Sequence, residues 1–272
     1  MSTLYLVATP IGNLEDITLR ALRVLREAPV IACEDTRTTR KLLTHHGVTV
    51  ARLVAYNERN RARQTPTLLA ALEAADVALA SDAGMPAISD PGFHLVEAAV
   101  AAGHIVVPVP GASALTAAVA ASGLPSRRFH YLGFLPRKAG ERRKLLADAA
   151  TLPETIVLFE APHRVRETLT DLLDAFGDRR VAVCRELTKL YEEIFRGALS
   201  EALDHFVEPR GEFTLVVEGA NERADAPASD ADIDALLRDQ KQRGVRARDA
   251  VRRVADLTGQ PHRAVYRRWL DL

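Results

Sequence analysis

The residues best suited to chemistry lie in a short stretch that follows the apolar run Val77–Ala80. This stretch contains two Ser-Asp-x-Gly turns, at Ser81–Gly84 and Ser89–Gly92. Glycine lets a main chain approach a ligand closely, and serine and aspartate supply short donors and acceptors. Open α/β sheets place their ligand sites at the carboxyl ends of parallel strands. The pattern therefore predicts a strand that ends in a ligand-binding loop.

A second charged stretch, Glu34-Asp35-Thr36-Arg37, follows the apolar run Val30–Cys33. Asp35 could orient a substrate hydroxyl, and Arg37 could hold a phosphate as a bidentate fork. Asp35 could equally do no more than cap the next helix, which is a common use of aspartate. Both interpretations stay open at this point.

Two further strand ends in the first half have the composition of ligand loops. The turn Ala8–Asn13 opens a helix whose first amides can meet an anion such as a carboxylate. The run Pro108–Ala114 is rich in small residues, which leave room for a flat ring or allow close helix–sheet packing. Neither G-x-G-x-x-G nor G-x-x-x-x-G-K-[ST] occurs, which argues against a dinucleotide dehydrogenase and a nucleoside triphosphatase.

Charged residues also follow strand-like runs in the second half. Glu160 and Glu186 each come directly after or near the end of such a run. His163 lies at a helix start, where a capping or surface role is commoner than a catalytic one. A basic cluster around Arg137 and Arg142 either meets phosphates or decorates an exposed helix.

The elements that must position these residues follow a repeated strand–helix pattern over the first half. This repetition predicts a parallel sheet covered on both faces. The second half includes strand-like neighbours separated by too little chain for a crossover helix, so its sheet should be mixed. The predicted strands are Leu4–Ala8, Val30–Cys33, Arg52–Ala55, Val77–Ala80, Ile105–Val109, Phe129–Phe134, Thr155–Phe159, Val181–Cys184, Glu192–Arg196 and Phe213–Glu218, and the predicted helices of the first half are Leu14–Ala28, Thr38–His46, Ala62–Ala75, Phe93–Ala102 and Ala112–Ala121.

The fold class is therefore α/β, with two α/β domains at residues 1–123 and 124–220 and a ligand cleft between them. Residues 221–232 read as a linker, and residues 233–272 as a small helical extension of helix-turn-helix type with helices at Arg246–Thr258 and His262–Leu270. Ten basic against four acidic residues lie between Arg238 and the end of a chain whose net charge is zero. This asymmetry indicates either a polyanionic partner or a solvated helical face.

Several classes of protein are disfavoured by composition. The two cysteines lie apart in apolar runs, which predicts buried thiols and no zinc site or disulfide. The first residues lack the pattern of a secretory signal, and Gly and Pro interrupt every apolar run that approaches the length of a membrane helix. We expect a cytoplasmic protein with no membrane association and no metal.

The motifs, taken in order over residues 4–220, resemble the bacterial 16S rRNA 2′-O-ribose cytidine methyltransferases, a family of the tetrapyrrole methylase superfamily. The resemblance is carried by L-Y-L-V-A-T-P-I-G-N-L-E-D, A-C-E-D-T-R, S-D-A-G-M-P-A-I-S-D-P-G, P-V-P-G-A-S-A, F-E-A-P-H-R and R-E-L-T-K. The basic helical tail also resembles the helix-turn-helix extension of that group. The sequence Thr9-Pro10-Ile11-Gly12, where small-molecule relatives have a glycine-rich loop, favours the RNA branch.

The resemblance implies S-adenosylmethionine as cofactor, a cytidine of the 16S rRNA decoding region in the small ribosomal subunit as target, and a homodimer. The candidates for the base that removes the ribose hydroxyl proton are Asp35, Glu160 and Glu186. Residues expected to contact RNA are Arg37, Arg137, Lys138, Arg142, Arg263 and Arg267. Residues that the motif positions set near the cofactor are Pro10, Gly12, Asp82, Ala83, Gly84, Ile88, Ser89, Ala112, Ser113, Ala114 and Thr214.

Two other interpretations remain open from the sequence. The first is a methyltransferase of the same scaffold that acts on a tetrapyrrole or another small metabolite, for which a basic tail has no evident use. The second is a catalytically silent RNA-binding protein that uses the cleft to sense a metabolite. Transfer of a methyl group to RNA separates both from the RNA enzyme.

Overall fold

A computed structural model describes residues 2–49, 52–220, 230–258 and 260–272. The chain divides into two compact units, one of residues 1–149 with 155–218 and one of residues 150–154 with 219–272. Both sheets of the protein lie in the first unit. The division into α/β domains at Gly123 therefore stays a prediction.

The first sheet is parallel throughout and has the strand order β3-β2-β4-β1-β5. Every residue of its strand Val77–Ala80 is buried, as expected for a strand with neighbours on both sides and helices on both faces. The predicted parallel sheet is thus confirmed. Its elements are β1 (Thr3–Val7), α1 (Leu19–Glu27), β2 (Val30–Cys33), α2 (Thr36–His45), β3 (Arg52–Ala55), α3 (Arg61–Ala74), β4 (Val77–Ala80), α4 (Phe93–Ala101), β5 (Ile105–Val109) and α5 (Ala114–Ser122).

The first helix is shorter than the predicted Leu14–Ala28 and spans Leu19–Glu27. A single 3₁₀ turn, Leu14–Asp16, precedes the α-helix, and Ile17 between them is extended with ψ 137°. Thr18 then caps α1, because its side chain accepts a hydrogen bond from the amide of Ala21 at 3.0 Å. A threonine at this position satisfies an amide that has no partner within the helix, so the helix begins after it.

The second sheet is mixed, as predicted, with the order β6-β7-β10-β8-β9. Strands β6 and β7 are parallel, whereas β10 runs antiparallel to both of its neighbours and β8 runs antiparallel to β9. Three helices that the sequence analysis did not assign accompany this sheet. The elements are β6 (Phe129–Phe134), α6 (Ala139–Ala149), β7 (Thr155–Glu160), α7 (Val165–Phe176), β8 (Arg180–Arg185), β9 (Glu193–Ala198), α8 (Leu199–His205) and β10 (Phe213–Val217).

The second unit carries three helices, α9 (Asp230–Gln242), α10 (Ala247–Thr258) and α11 (His262–Asp271). They share a small apolar core that includes Leu237, Val254 and Val265. The helical extension is confirmed, but its first helix begins at Asp230, inside the segment 221–232 that was predicted as a linker. Residues 221–229 of that segment lie outside the described residues.

Both cysteines are buried and free, in agreement with the sequence analysis. Burial raises the pKa of the Cys184 thiol to about 11, so this thiol stays protonated. Among the residues that the structure describes, no helix has both the length and the apolar character needed to cross a membrane. Within the same residues, no group of three acidic, histidine or cysteine side chains is arranged to hold a metal ion.

Candidate active site

A cavity of about 510 Å³ opens where the strand ends of the two sheets face each other in the first unit. Its volume lies in the range of pockets that bind cofactor-sized molecules. The first sheet supplies the loops after β2 and β4 and the start of α5, and the second supplies the ends of β6 and β7 and the start of β10. The predicted cofactor residues among its lining are Asp82, Ala83, Gly84, Ile88, Ser89, Ser113, Ala114 and Thr214.

A pair of reciprocal main-chain hydrogen bonds fixes the loop that follows β4. The amide of Thr9 donates to the carbonyl of Gly84 at 2.9 Å, and the amide of Gly84 donates to the carbonyl of Thr9 at 3.0 Å. The hydroxyl of Ser81 donates to the same carbonyl of Gly84 at 2.9 Å. Gly84 has φ 78°, a left-handed conformation that glycine adopts without strain. The first Ser-Asp-x-Gly turn is therefore held against the loop after β1.

The second half of this loop contains two non-glycine residues with positive φ, Ala87 at 71° and Ser89 at 61°. Such residues persist only where the surrounding structure holds them, and they cluster at ligand sites. The hydroxyl groups of Ser89 and Tyr131 lie 2.7 Å apart. This hydrogen bond ties the loop of the first sheet to β6 of the second.

Three carboxylates face one another at the cavity: Glu34, Asp82 and Asp90. Burial, followed by the charges of Glu34 and Asp82, raises the pKa of Asp90 to about 7. Burial also raises the pKa of Asp82 and of Glu34, and the neighbouring carboxylates add to both effects. Like charges close together disfavour ionisation, so Asp90 gains or loses its proton near neutral pH. The cluster therefore suits a positively charged group of a ligand, and Asp90 can accept a proton.

Asp90 and Glu34 are not among the site residues predicted from the sequence, although both lie in motifs with the composition of a ligand site. Asp90 is the aspartate of the second Ser-Asp-x-Gly turn, and Glu34 directly follows β2. The signal for Glu34 was its place at a strand end in a parallel sheet. Their mutual approach depends on β2 and β4 being neighbours, which the sheet order supplies.

Three of the predicted cofactor residues, Pro10, Gly12 and Ala112, are not among the residues that line the cavity. At Gly12, a Cβ atom would lie 2.4 Å from Cγ of Lys189 and 2.9 Å from Oγ1 of Thr188. The loop after β1 thus packs closely against the loop after β8, and the glycine makes this approach feasible.

Asp35 does not have the properties of a base. Its carboxylate accepts hydrogen bonds from the amide and the guanidinium of Arg37, with 2.6 Å between Oδ2 and Nη2. The hydrogen bond with the Arg37 side chain lowers the pKa of Asp35 to about 2. Asp35 is the N-cap of α2, so the capping interpretation left open by the sequence is the one observed.

Glu186 is also engaged elsewhere. Its Oε1 atom accepts from Nζ of Lys189 at 2.9 Å and from the amide of Glu212 at 2.9 Å. Although burial acts in the opposite direction, these bonds leave the pKa of Glu186 below its ordinary value. The residue fastens the loop after β8 to the strand β10 and does not line the cavity.

Glu160 is the one predicted base that lines the cavity. Its side chain is fully buried, and both carboxylate oxygens already accept a hydrogen bond, one from the amide of Ala161 at 2.9 Å and one from the hydroxyl of Thr168 at 2.7 Å. The guanidinium of Arg164 lies 3.7 Å away. A carboxylate held in this way fixes the end of β7.

The prediction that Arg142 contacts RNA is wrong. Its side chain is 1% exposed, and it donates to Asp171 at 2.6 Å and forms a salt bridge with Glu167. A guanidinium buried with two carboxylates is not available to a phosphate. The sequence indicates an exposed position for Arg142 on α6, because it gives no bounds for α7, the helix that supplies Glu167 and Asp171. The other expected RNA contacts, Arg37, Arg137, Lys138, Arg263 and Arg267, are exposed, as is His163.

Comparison with family models gives matches over both units. The model described as tetrapyrrole (corrin/porphyrin) methylases matches residues 3–203. The model described as the RsmI C-terminal HTH domain matches residues 227–272.

Comparison with individual proteins gives matches over nearly the whole chain. A protein of Halalkalibacterium halodurans named ribosomal RNA small subunit methyltransferase I is 45% identical and aligns over 97% of this chain and 93% of its own length. The protein of the same name from Mesorhizobium japonicum is 47% identical over 99% of this chain and 92% of its own length.

Solved structures share the fold at lower identity. The uroporphyrin III C-methyl transferase from Thermus thermophilus superposes with a TM-score of 0.59 at 22% identity, over 80% of this chain and 97% of that chain. A second structure of that enzyme, complexed with S-adenyl homocysteine, has a TM-score of 0.58 at 23% identity and the same coverage. A diphthine synthase reaches a TM-score of 0.65 at 16% identity, over 80% of this chain and 90% of that chain.

Proposed function

We propose a reaction for this chain on the premise that it belongs to the ribosomal RNA small subunit methyltransferase I family within the tetrapyrrole methylases. The chain is an rRNA methyltransferase of the small ribosomal subunit. We propose that the methyl group is transferred to the ribose 2′-hydroxyl of a cytidine in the decoding region of 16S rRNA. The methyl donor is S-adenosylmethionine. This substrate places the activity in the cytoplasm, and the active form is a homodimer.

The cavity supports this choice of donor. Its volume of about 510 Å³ accommodates a nucleoside with an amino acid side arm. Ala83, Gly84 and Ala114 leave space at the wall for a flat base, and the carboxylates of Glu34, Asp82 and Asp90 suit a ligand that carries positive charge. The Thermus thermophilus structure with S-adenyl homocysteine adds support from a protein of the same fold.

S-adenosylmethionine supplies, when bound, a methyl group that is already activated by its sulfonium centre. The protein must then hold the ribose hydroxyl in line with that methyl group and keep water away. Phe134 and Phe159, whose ring centroids lie 5.7 Å apart, form an apolar wall on the side of the second sheet. Such a wall excludes water and offers a surface on which an unstacked base can lie.

We infer that Asp90 accepts the proton of the ribose hydroxyl at a carboxylate oxygen. Asp90 lines the cavity beside Ser81, Glu34 and Asp82, on a loop of the first sheet. The apolar wall that the second sheet contributes lines the same cavity. Of the other candidate carboxylates, Asp35 and Glu186 accept hydrogen bonds from basic side chains, and Glu160 accepts hydrogen bonds that hold the end of β7. A base is most effective when its pKa is close to the working pH, and Asp90 meets that condition.

The observation that carries the proposal is the cavity between the strand ends with its acidic cluster on the Ser81–Gly92 loop. The experiment is transfer of labelled methyl from S-adenosylmethionine to small ribosomal subunits that lack the modification, followed by digestion and identification of the labelled nucleoside. We expect the label in 2′-O-methylcytidine. Label in another nucleoside would overturn the cytidine assignment, and binding of the donor with no label in RNA would favour the small-molecule methylase or the silent binder.

A further inference from the structure

Helix α2 begins at the rim of the cavity. Glu34, directly before the helix, lines the cavity, and the amide of Asp35 donates to Oδ1 of Asp82, another lining residue, at 3.0 Å. Asp35 in turn caps the helix by accepting from the amide of Arg37 at 2.8 Å. The first turn of α2 is thus attached to the loop that forms the candidate site.

The outer face of α2 is basic along its whole length. Arg37, Arg40, Lys41 and His45 are exposed, and they follow the spacing i, i+3, i+4 and i+8 that places side chains on one helical face. The opposite face, with Thr39, Leu42 and Leu43, is buried against the first sheet. Because the inner face is fixed by the core, the basic side chains cannot turn inward.

These residues line a shallow concavity of about 470 Å³, together with Thr44, and no acidic side chain is part of its lining. Arg37 forms a salt bridge with Asp35, so part of its charge is balanced. Within the described residues, Arg40 and Lys41 have no carboxylate at salt-bridge distance. Uncompensated positive charge on a concave surface attracts a polyanion.

We propose that the basic face of α2, with Arg40 and Lys41 at its centre, binds the phosphate backbone of the rRNA next to the nucleotide that is methylated. The proposal rests on the proposed function and locates its substrate on the protein. From Arg37 to His45 the face is about 12 Å long, which corresponds to three or four stacked nucleotides at about 3.4 Å each. A strand whose ribose enters the cavity therefore meets this face with its neighbouring phosphates.

The test compares two double variants that each remove two positive charges. Arg40→Gln/Lys41→Gln alters the proposed surface with residues of good helix propensity. Arg20→Gln/Arg63→Gln is the matched control, because both arginines are exposed on other helices, α1 and α3, and line neither concavity. Binding of each protein to unmodified small subunits and to protein-free 16S rRNA is measured at several salt concentrations, with S-adenosylmethionine affinity measured separately.

For Arg40→Gln/Lys41→Gln we expect an affinity for both forms of RNA at least tenfold lower than that of the unaltered protein, and unchanged affinity for S-adenosylmethionine. The slope of log affinity against log salt should fall by about 1.4 to 1.8, which corresponds to two lost phosphate contacts. The control should change affinity less than twofold. Equal losses in the two double variants, or none in either, would overturn the proposal.

Two other results are informative in a different way. Lower affinity for the subunit with unchanged affinity for protein-free RNA would mean that α2 docks on a ribosomal protein, which also overturns the proposal. The methyl transfer assay of the unaltered protein distinguishes failure of the proposed function from failure of the proposed binding surface. If that protein labels no RNA, the proposed function fails; if it labels RNA and the two double variants bind alike, only the assignment of the surface fails.

Discussion

Asp90 illustrates how position changes the chemistry of a single residue. An aspartate in water is ionised at neutral pH, but burial beside Glu34 and Asp82 raises the pKa of this one to about 7. Asp35, the N-cap of α2, accepts hydrogen bonds from the Arg37 side chain, which lower its pKa to about 2. Asp35 and Asp90 both interact with Asp82, yet their protonation differs. Asp35 stays ionised near neutral pH, whereas Asp90 changes its charge there.

The pKa of Asp90 makes stability depend on pH. A carboxyl whose folded pKa lies above its unfolded value stabilises the fold at low pH and loses that contribution as pH rises to the folded value. The variant Asp90→Asn mimics the protonated form. We expect its free energy of unfolding to equal that of the unaltered protein at pH 4. Above pH 7 its free energy of unfolding should be higher by on the order of 1 to 2 kcal/mol, a figure discounted for partial exposure. Denaturant unfolding at both pH values measures this, and an unchanging difference would contradict it.

The same variant tests the role of Asp90 in the reaction. We expect the unaltered protein to transfer methyl faster as pH rises toward about 7 and then to level off, because the ionised carboxylate is the form that accepts a proton. Asp90→Asn should lower the rate at saturating substrates by roughly 10²- to 10⁴-fold and abolish this pH dependence. Asp174→Asn, at an exposed aspartate of α7 that does not line the cavity, serves as the control and should keep the rate of the unaltered protein. A normal rate in Asp90→Asn would exclude Asp90 as the base.

Arg142 gives a prediction about stability alone. Removing one partner of a buried ion pair leaves an uncompensated charge, which costs about 3 to 5 kcal/mol. We expect a loss at the lower end of that range for Arg142→Ala, because Asp171 is nearly as buried as Arg142 and keeps only the exposed Arg143 as a partner. Arg143→Ala, which removes an exposed partner of the same aspartate, should cost less than about 1 kcal/mol. Thermal and denaturant unfolding measure both, and similar losses in the two variants would contradict the assignment.

At the scale of the element, the loop Ser81–Gly92 depends on its connection to β6. The hydroxyls of Ser89 and Tyr131 form that connection at 2.7 Å, and Ser89 holds a positive φ beside it. We expect Tyr131→Phe to weaken S-adenosylmethionine binding about fivefold, which corresponds to one hydrogen bond of about 1 kcal/mol. Calorimetric titration measures the affinity.

A double-mutant cycle supplies the control for that prediction. Ser89→Ala removes the other partner of the same hydrogen bond. The affinity of Ser89→Ala/Tyr131→Phe for S-adenosylmethionine should therefore be no lower than that of either single variant. Additive losses would mean that the two hydroxyls contact the cofactor separately and do not act through each other.

The elements also show which features a sequence reveals. Strands β2 to β6 were predicted with their observed ends, because each is a short apolar run bounded by turn residues. The sequence indicates a helix around Arg142 and a helix start at His163, but it gives no bounds for α6, α7 or α8, so the acids of α7 that bury Arg142 were not predicted. The Ser81–Gly92 loop was found from its glycines and aspartates. The acidic cluster was not, because Glu34 and Asp90 are brought together by a sheet order that no local pattern encodes.

At the scale of the whole molecule, charge is unevenly divided between the units. The net charge is zero, yet residues 238–272 carry ten basic and four acidic side chains. Helices α9 to α11 have their own apolar core, and the cavity residues all belong to the other unit. We therefore expect removal of the helices α9 to α11 to lower the affinity for RNA without lowering the affinity for S-adenosylmethionine.

We expect a chain that ends at Ala220 to bind S-adenosylmethionine within twofold of the full chain. Its affinity for small subunits should fall and should depend less on salt, since fewer phosphates are neutralised. Titration calorimetry and subunit binding at two salt concentrations measure these effects. Retention of full RNA affinity and salt dependence would show that the basic helices are a solvated face without a role in binding.

The reciprocal bonds between Thr9 and Gly84 have an evolutionary consequence. Both bonds join main-chain atoms, so a change of side chain at residue 9 to any type except proline preserves the donor and the acceptor. Selection can therefore alter the side chains around the cavity while its frame persists. This is in keeping with solved structures that retain the fold at 16 to 23% identity. A frame of this kind tolerates substitutions in the side chains that line the cavity, because its own bonds do not involve them.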